Sequence, residues 1–149
     1  MQKLPDKLSE LIRVGLEDVR KAEDAADTYV VDMGSWHDPP GCRRSSHSTR
    51  CSVCMAGAVM AFHLGVPADE EKMPRSFGDD SRIRSQLRAL DHCVWGGVGQ
   101  ALEEIGAIDN RDDLPEQFRG VVISDYDSHP KMWHAELNKL ADALEAAGY

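Results

Sequence analysis

Residues 33–65 read MGSWHDPPGCRRSSHSTRCSVCMAGAVMAFHLG, and the fold depends on how they are parsed. Gly34 to Arg50 is polar and contains the forced turn Asp38-Pro39-Pro40-Gly41, so its composition makes it a loop. From Cys51 to Leu64 the chain turns apolar, and Gly65 and Pro67 close the run, which predicts a helix over 51–64. Val53, Met55, Val59, Met60, Phe62 and Leu64 spread around the whole circumference of that helix. A helix apolar on every side must be buried, so 51–64 is expected to be the central helix of the domain. Its small residues, Ala56, Gly57, Ala58 and Ala61, leave a thin surface on which a neighbour can approach closely.

The flanking segments supply partners for such a helix. Residues 6–26 carry Leu8, Leu11, Ile12, Leu16 and Val19 at helical spacing, with Pro5 and Asp6 as an expected start. Gly15 weakens that helix intrinsically by up to about 1 kcal/mol relative to alanine. Thr28 to Met33 is β-branched and aromatic and reads as a short strand. Ala68 to Asp80 is an acidic connection, and Asp79 or Asp80 can cap the next helix. Ile83, Leu87 and Leu90 give that helix one apolar face, while Arg82, Arg84 and Arg88 give it a basic one. Cys93 to Gly97 interrupts the pattern; Val98, Leu102 and Ile105 continue it, and Leu114 to Phe118 reads as one further turn. Val121-Val122-Ile123 is a second candidate strand, expected to pair with residues 29–33. A final helix starts near Pro130, with Trp133, Leu137, Leu140 and Leu144 on its inner face.

The expected fold is therefore mainly α: one compact domain, residues 1–149, of four to five helices around the buried 51–64 helix. It carries at most a small two-stranded β element and a polar loop at 34–50. At 149 residues such a chain can bury a core without a metal or disulfide. The longest run free of charge and histidine, Cys51 to Phe62, is too short for a membrane helix, which needs about twenty residues. The first residues, MQKLPDKLSELI, carry charges where an export signal would be apolar. A cytoplasmic protein with no membrane partner is expected, and its four cysteines are then reduced thiols or metal ligands.

The net charge is −9, and the segment 33–65 is the only basic part, through Arg43, Arg44 and Arg50. Those arginines are candidate contacts for a phosphate or an acidic partner. The acidic mean field argues against nucleic acid as that partner.

Three readings of the cysteine cluster stay open. Cys51 and Cys54 stand two residues apart, a spacing that lets both sulfurs reach one zinc ion. Cys42 and His47 would complete a structural tetrahedral site, with His37 as an alternative ligand. In the second reading, Cys51 at a helix start is an activated nucleophile or redox thiol. His37, His47, His129 and His134 are then candidate bases. In the third, the thiols are small core side chains, Trp36 anchors the loop, and His63 is a boundary histidine. No complete catalytic fingerprint accompanies the cluster. Gly96-Gly97-Val98-Gly99 lacks the lysine of a phosphate-binding loop, and Asp125-Tyr126-Asp127 does not match a calcium loop. A non-enzymatic role is the stronger expectation.

Gly34-Ser35-Trp36-His37, followed by Cys51-Ser52-Val53-Cys54-Met55-Ala56-Gly57-Ala58-Val59-Met60-Ala61, resembles a pattern in small tailed-phage and prophage proteins of uncharacterised activity. The resemblance covers only residues 34 to 61 and brings no catalytic residue with it. It implies a phage accessory protein in the host cytoplasm. Such a protein would bind and inhibit or redirect a host or defence factor. A thiol enzyme centred on Cys51 is the alternative.

Overall fold

A computed structural model describes residues 3–41, 49–78 and 80–149. Its first helix, α1, runs from Leu8 to Asp24 and packs on three other helices and one strand. Leu8, Leu11, Ile12, Leu16 and Val19 are all buried, as their spacing requires. The expected cap is absent: Lys7 stands at the cap position without a side-chain hydrogen bond, and Asp6 pairs instead with Arg82 at 3.2 Å. Gly15 has a packing role, because a Cβ there would lie 2.7 Å from Met55 Cγ.

Three short strands follow. β1 is Tyr29–Val31, β2 is His37–Asp38 and β3 is Cys51–Val53. β3 lies in the middle. It pairs in parallel with β1, Tyr29 opposite Cys51, and antiparallel with β2, His37 opposite Val53. All three β3 residues are buried, Ser52 included.

This arrangement corrects two expectations. The central helix does not begin at Cys51. Cys51 N donates to Thr28 O at 2.8 Å, and Asp32 N donates to Val53 O at 2.8 Å, so ladder bonds hold residues 51–53 as strand. Cys54 is extended and caps the helix α2, Met55–Phe62. The sheet is also not made with 121–123. β1, the expected partner, pairs with β3 instead, and residues 121–123 pair with no strand among the described residues.

α2 is the buried centre, with Met55 to Met60 entirely enclosed. Its small residues act as the sequence implies: a Cβ on Gly57 would fall 1.7 Å from the Trp36 carbonyl oxygen. α3, Ser81–Val94, is capped by Asp80, whose Oδ1 accepts from Ile83 N at 3.1 Å. α4, Val98–Glu104, follows the break at Gly96 and Gly97. The turn expected at 114–118 is a pair of 3₁₀ turns, Arg111–Asp113 and Glu116–Phe118, which bury Phe118. α5, Pro130–Ala146, buries Trp133, Leu137, Leu140 and Leu144 and lies along α1. The protein is thus mainly α, with five α-helices and a three-stranded sheet among the described residues. None of these helices is long and apolar enough to cross a membrane.

Candidate functional site

The sheet brings His37 and Cys51 together from opposite ends of the polar loop. Both side chains are fully enclosed, and Asp38 beside them is nearly so. His37 is fixed from several sides. Its Nδ1–H donates to the Glu70 carbonyl oxygen at 2.8 Å, and its own carbonyl accepts from Lys72 N at 3.1 Å. A carbonyl can only accept, so the neutral ring carries its proton on Nδ1 and leaves Nε2 as the free lone pair.

Cys51 Sγ lies 3.8 Å from Nδ1 and 3.8 Å from Nε2. Equal distances place the sulfur off the in-plane axis of either nitrogen, packed against the imidazole ring. A general base must point its lone pair at the proton it removes. This contact therefore has the geometry of packing. The electrostatics agree. Burial pushes the Cys51 thiol up to about 12, and the Asp38 charge adds to the shift. The same burial lowers the His37 imidazole, against the Glu70 carbonyl bond that supports its charge.

Cys54 is buried as well. Its Sγ accepts from Gly57 N at 3.4 Å and so caps α2. Desolvation pushes its thiol to about 12, the opposite of the lowering expected at a helix entrance. Cys93, inside α3, is also buried and raised to about 12. Of the other candidate ligands, Cys42 and His47 lie outside the described residues, as do Arg43 and Arg44. Arg50 donates to the Ala26 carbonyl at 3.3 Å and so ties the entry of β3 to the turn after α1. No group of three or more His, Cys, Asp or Glu side chains gathers in metal-holding geometry among the described residues.

The remaining candidate bases are placed elsewhere. His129 precedes α5 and is exposed. His134 Nε2 lies 3.2 Å from both carboxylate oxygens of Glu23, which also accepts from the Tyr126 hydroxyl. His63 Nδ1 lies 2.6 Å from Oδ2 of the buried Asp18, whose Oδ1 stands 3.4 Å from Lys21 Nζ. Desolvation raises the Asp18 carboxyl even so. Sequence spacing could not have found these two clusters, because their members lie 45 and more than 100 residues apart.

A second region is defined by exposure. Trp95 is 67% exposed, Val122 80% and Met132 53%, the large hydrophobic side chains left in solvent among the described residues. Trp95 and Val122 meet at one segment, residues 121–126. Trp95 shares a small cavity with Ile123, Ser124 and Asp125. Val122 belongs to the segment itself. Met132 lies one helical turn before Glu136, whose carboxylate accepts from both Ser124 N and Ser124 Oγ. Gly96, at φ +79°, lets the Val121 carbonyl come close, which seats the segment on the end of α3.

No known protein family, curated protein or solved structure matches this chain. The class that fold and sites define is a mainly α domain with buried thiols and one apolar, exposed segment.

Proposed function

We propose that the chain is an accessory protein that acts by binding another protein, in line with its resemblance to small phage proteins. A host or defence factor is then the target. The observation that carries this reading is the exposure of Trp95 and Val122 at the segment 121–126. Large apolar side chains left exposed close to one another on an acidic chain mark an interaction site. Trp is also the residue type that most often dominates binding energy at such sites.

The buried cysteine region supports the same choice. A thiol without solvent access, raised to about 12, is a poor nucleophile, which weighs against the cysteine-dependent alternative at Cys51.

Capture from host lysate tests the proposal, with wild type and a Trp95→Ala/Val122→Asp variant compared side by side. One stoichiometric partner, retained by wild type and lost by the variant, is the expected result. Failure of wild type to retain any stoichiometric protein would overturn the binding reading. A partner held equally by both forms would remove it from this surface.

A structural zinc ion remains a separate proposal. Its support is the burial of both thiols of the Cys51–Cys54 pair just after the polar loop that carries Cys42 and His47. Untagged protein should then carry about one zinc per chain. Metal-free, fully folded protein overturns the zinc and leaves the binding reading intact.

A further inference from the structure

Val121-Val122-Ile123 has the composition of a strand and no strand to pair with. Among the described residues, no hydrogen bond reaches the backbone N–H or C=O of these three residues. The segment contains no helix, turn or bend from residue 121 to 125. It is held at both ends. Gly96 receives the Val121 carbonyl on one side, and Glu136 binds Ser124 on the other. Three β-branched residues, Val122 exposed and Val121 and Ile123 half-buried, are therefore held in place with backbone groups that have no partner among the described residues. An unpaired edge of this kind is a template for another strand.

The surroundings match what strand addition requires. In that mode backbone bonds give affinity, and pockets for alternating side chains give specificity. Here two depressions flank the segment. One, of about 130 Å³, is lined by Met33, Val94, Trp95, Ile123 and Trp133 among others. The other, of about 450 Å³, includes Phe118, Val121, Val122, Lys139, Leu140 and Ala143.

Charge selects the occupant. Asp125 and Glu136 line the two depressions, and Lys139 is the single cation lining them among the described residues, so the lining is net acidic. A second copy of this chain, itself at −9, would be repelled.

Resting on the binding reading above, we propose that residues 121–123 are a docking edge. Its occupant is an extended segment of a partner protein with alternating apolar and basic side chains. The partner strand forms backbone hydrogen bonds to Val121–Ile123, its apolar side chains enter the two depressions, and its lysines or arginines meet the carboxylates.

The probe is a capped Lys-Val-Lys-Val-Lys-Val peptide, titrated into isotope-labelled full-length protein and followed by amide shifts and hydrogen exchange. Perturbation should centre on residues 121–123 and Trp95. Exchange of those amides should slow at least about tenfold at saturation, as newly bonded amides do. Two peptides N-methylated at alternate residues, one for each register, should lose this effect in one register or both. A Glu-Val-Glu-Val-Glu-Val peptide should not bind.

Three results would overturn the proposal: no perturbation at about 1 mM peptide, where even weak binding registers; perturbation elsewhere; or full binding by both N-methylated peptides. Protection of 121–123 in a concentration-dependent dimer without peptide would assign the edge to a second copy instead. These outcomes are separable from failure of the binding reading. A partner captured through Trp95 with no exchange protection at 121–123 keeps the binding and removes the strand.

Discussion

The junction of β3 and α2 and the segment 121–126 are opposites. The junction gathers two of the four cysteines, the fully buried His37 and the small residues Ala56, Gly57 and Ala58, and it is sealed: Cys51, Val53 and Met55 to Met60 are all buried. Residues 121–123 are ordinary aliphatic residues, half-buried except for the exposed Val122, and among the described residues their backbone has no hydrogen-bond partner. Residue types with reactive chemistry mark a site only when the fold gives them access and a partner at the right angle. Here burial turns the thiols of Cys51 and Cys54 into core side chains, whereas Val122, a residue type without reactive chemistry, stands in solvent.

The contrast can be broken most sharply at Gly57. Gly57→Ala puts a Cβ against the Trp36 carbonyl, a backbone atom that cannot swing aside. A loss of about 3 kcal/mol in urea unfolding is expected, despite the helix preference for alanine. Gly15→Ala makes the internal comparison. Its Cβ meets the flexible Met55 side chain, which can move, so a smaller loss of about 1 kcal/mol is expected. Equal effects of the two substitutions would show that the sheet does not clamp α2 as described.

Chemical access gives the next test. With thiols at about 12, Cys51, Cys54 and Cys93 should stay unmodified by iodoacetamide in native protein at pH 8 and react once it is unfolded. Peptide mapping separates them from Cys42. Rapid native alkylation at Cys51 would revive the cysteine-dependent alternative.

Much of the fold was legible in the sequence. The buried faces of α1 and α5 follow directly from apolar periodicity, and the all-round apolarity of 55–62 marks the central helix. The strand Cys51–Val53 was not legible, because it exists only through ladder bonds to β1 and β2, across a loop whose closure composition cannot reveal. Val121–Ile123 failed in the opposite sense. Its strand propensity is real, but its expected partner β1 pairs with Cys51–Val53 and Val121 sits against Gly96 at the end of α3, so propensity alone did not make a pair. As for the site, the contact of His37 with Cys51 joins two residues singled out in sequence, whereas nothing in composition distinguishes Trp95 as exposed from Trp133 as buried.

Acid sensitivity sharpens the description of the sealed region. His37 is lowered from the usual 6.5 by burial, so the unfolded chain binds a proton that the folded chain refuses. Its contribution to stability is present above pH 6.5 and is lost as the pH falls through the folded value. The slope from one such group is at most about 1.4 kcal/mol per pH unit. Asp18 acts with the opposite sign: its raised carboxyl favours the folded state at low pH, and that contribution fades as the pH rises through the folded value. Comparing unfolding of wild type and His37→Gln from pH 7 to 5 isolates the histidine, and parallel curves would mean that His37 is not held neutral.

The smallest expected effect on stability falls on the exposed region. Trp95→Ala removes a side chain that is 67% exposed, and Val122→Asp one that is 80% exposed. Each should change unfolding free energy by less than about 1 kcal/mol, as surface substitutions usually do. The same two changes should weaken partner capture at least about tenfold if the segment is a binding surface, since an anchoring Trp at an interface is commonly worth 2 kcal/mol or more. A large loss of stability at Trp95 would instead make it part of the packing that seats 121–126 on α3. The contrast between the two regions would then narrow to exposure alone, with Val122 and the unpaired backbone left to carry binding.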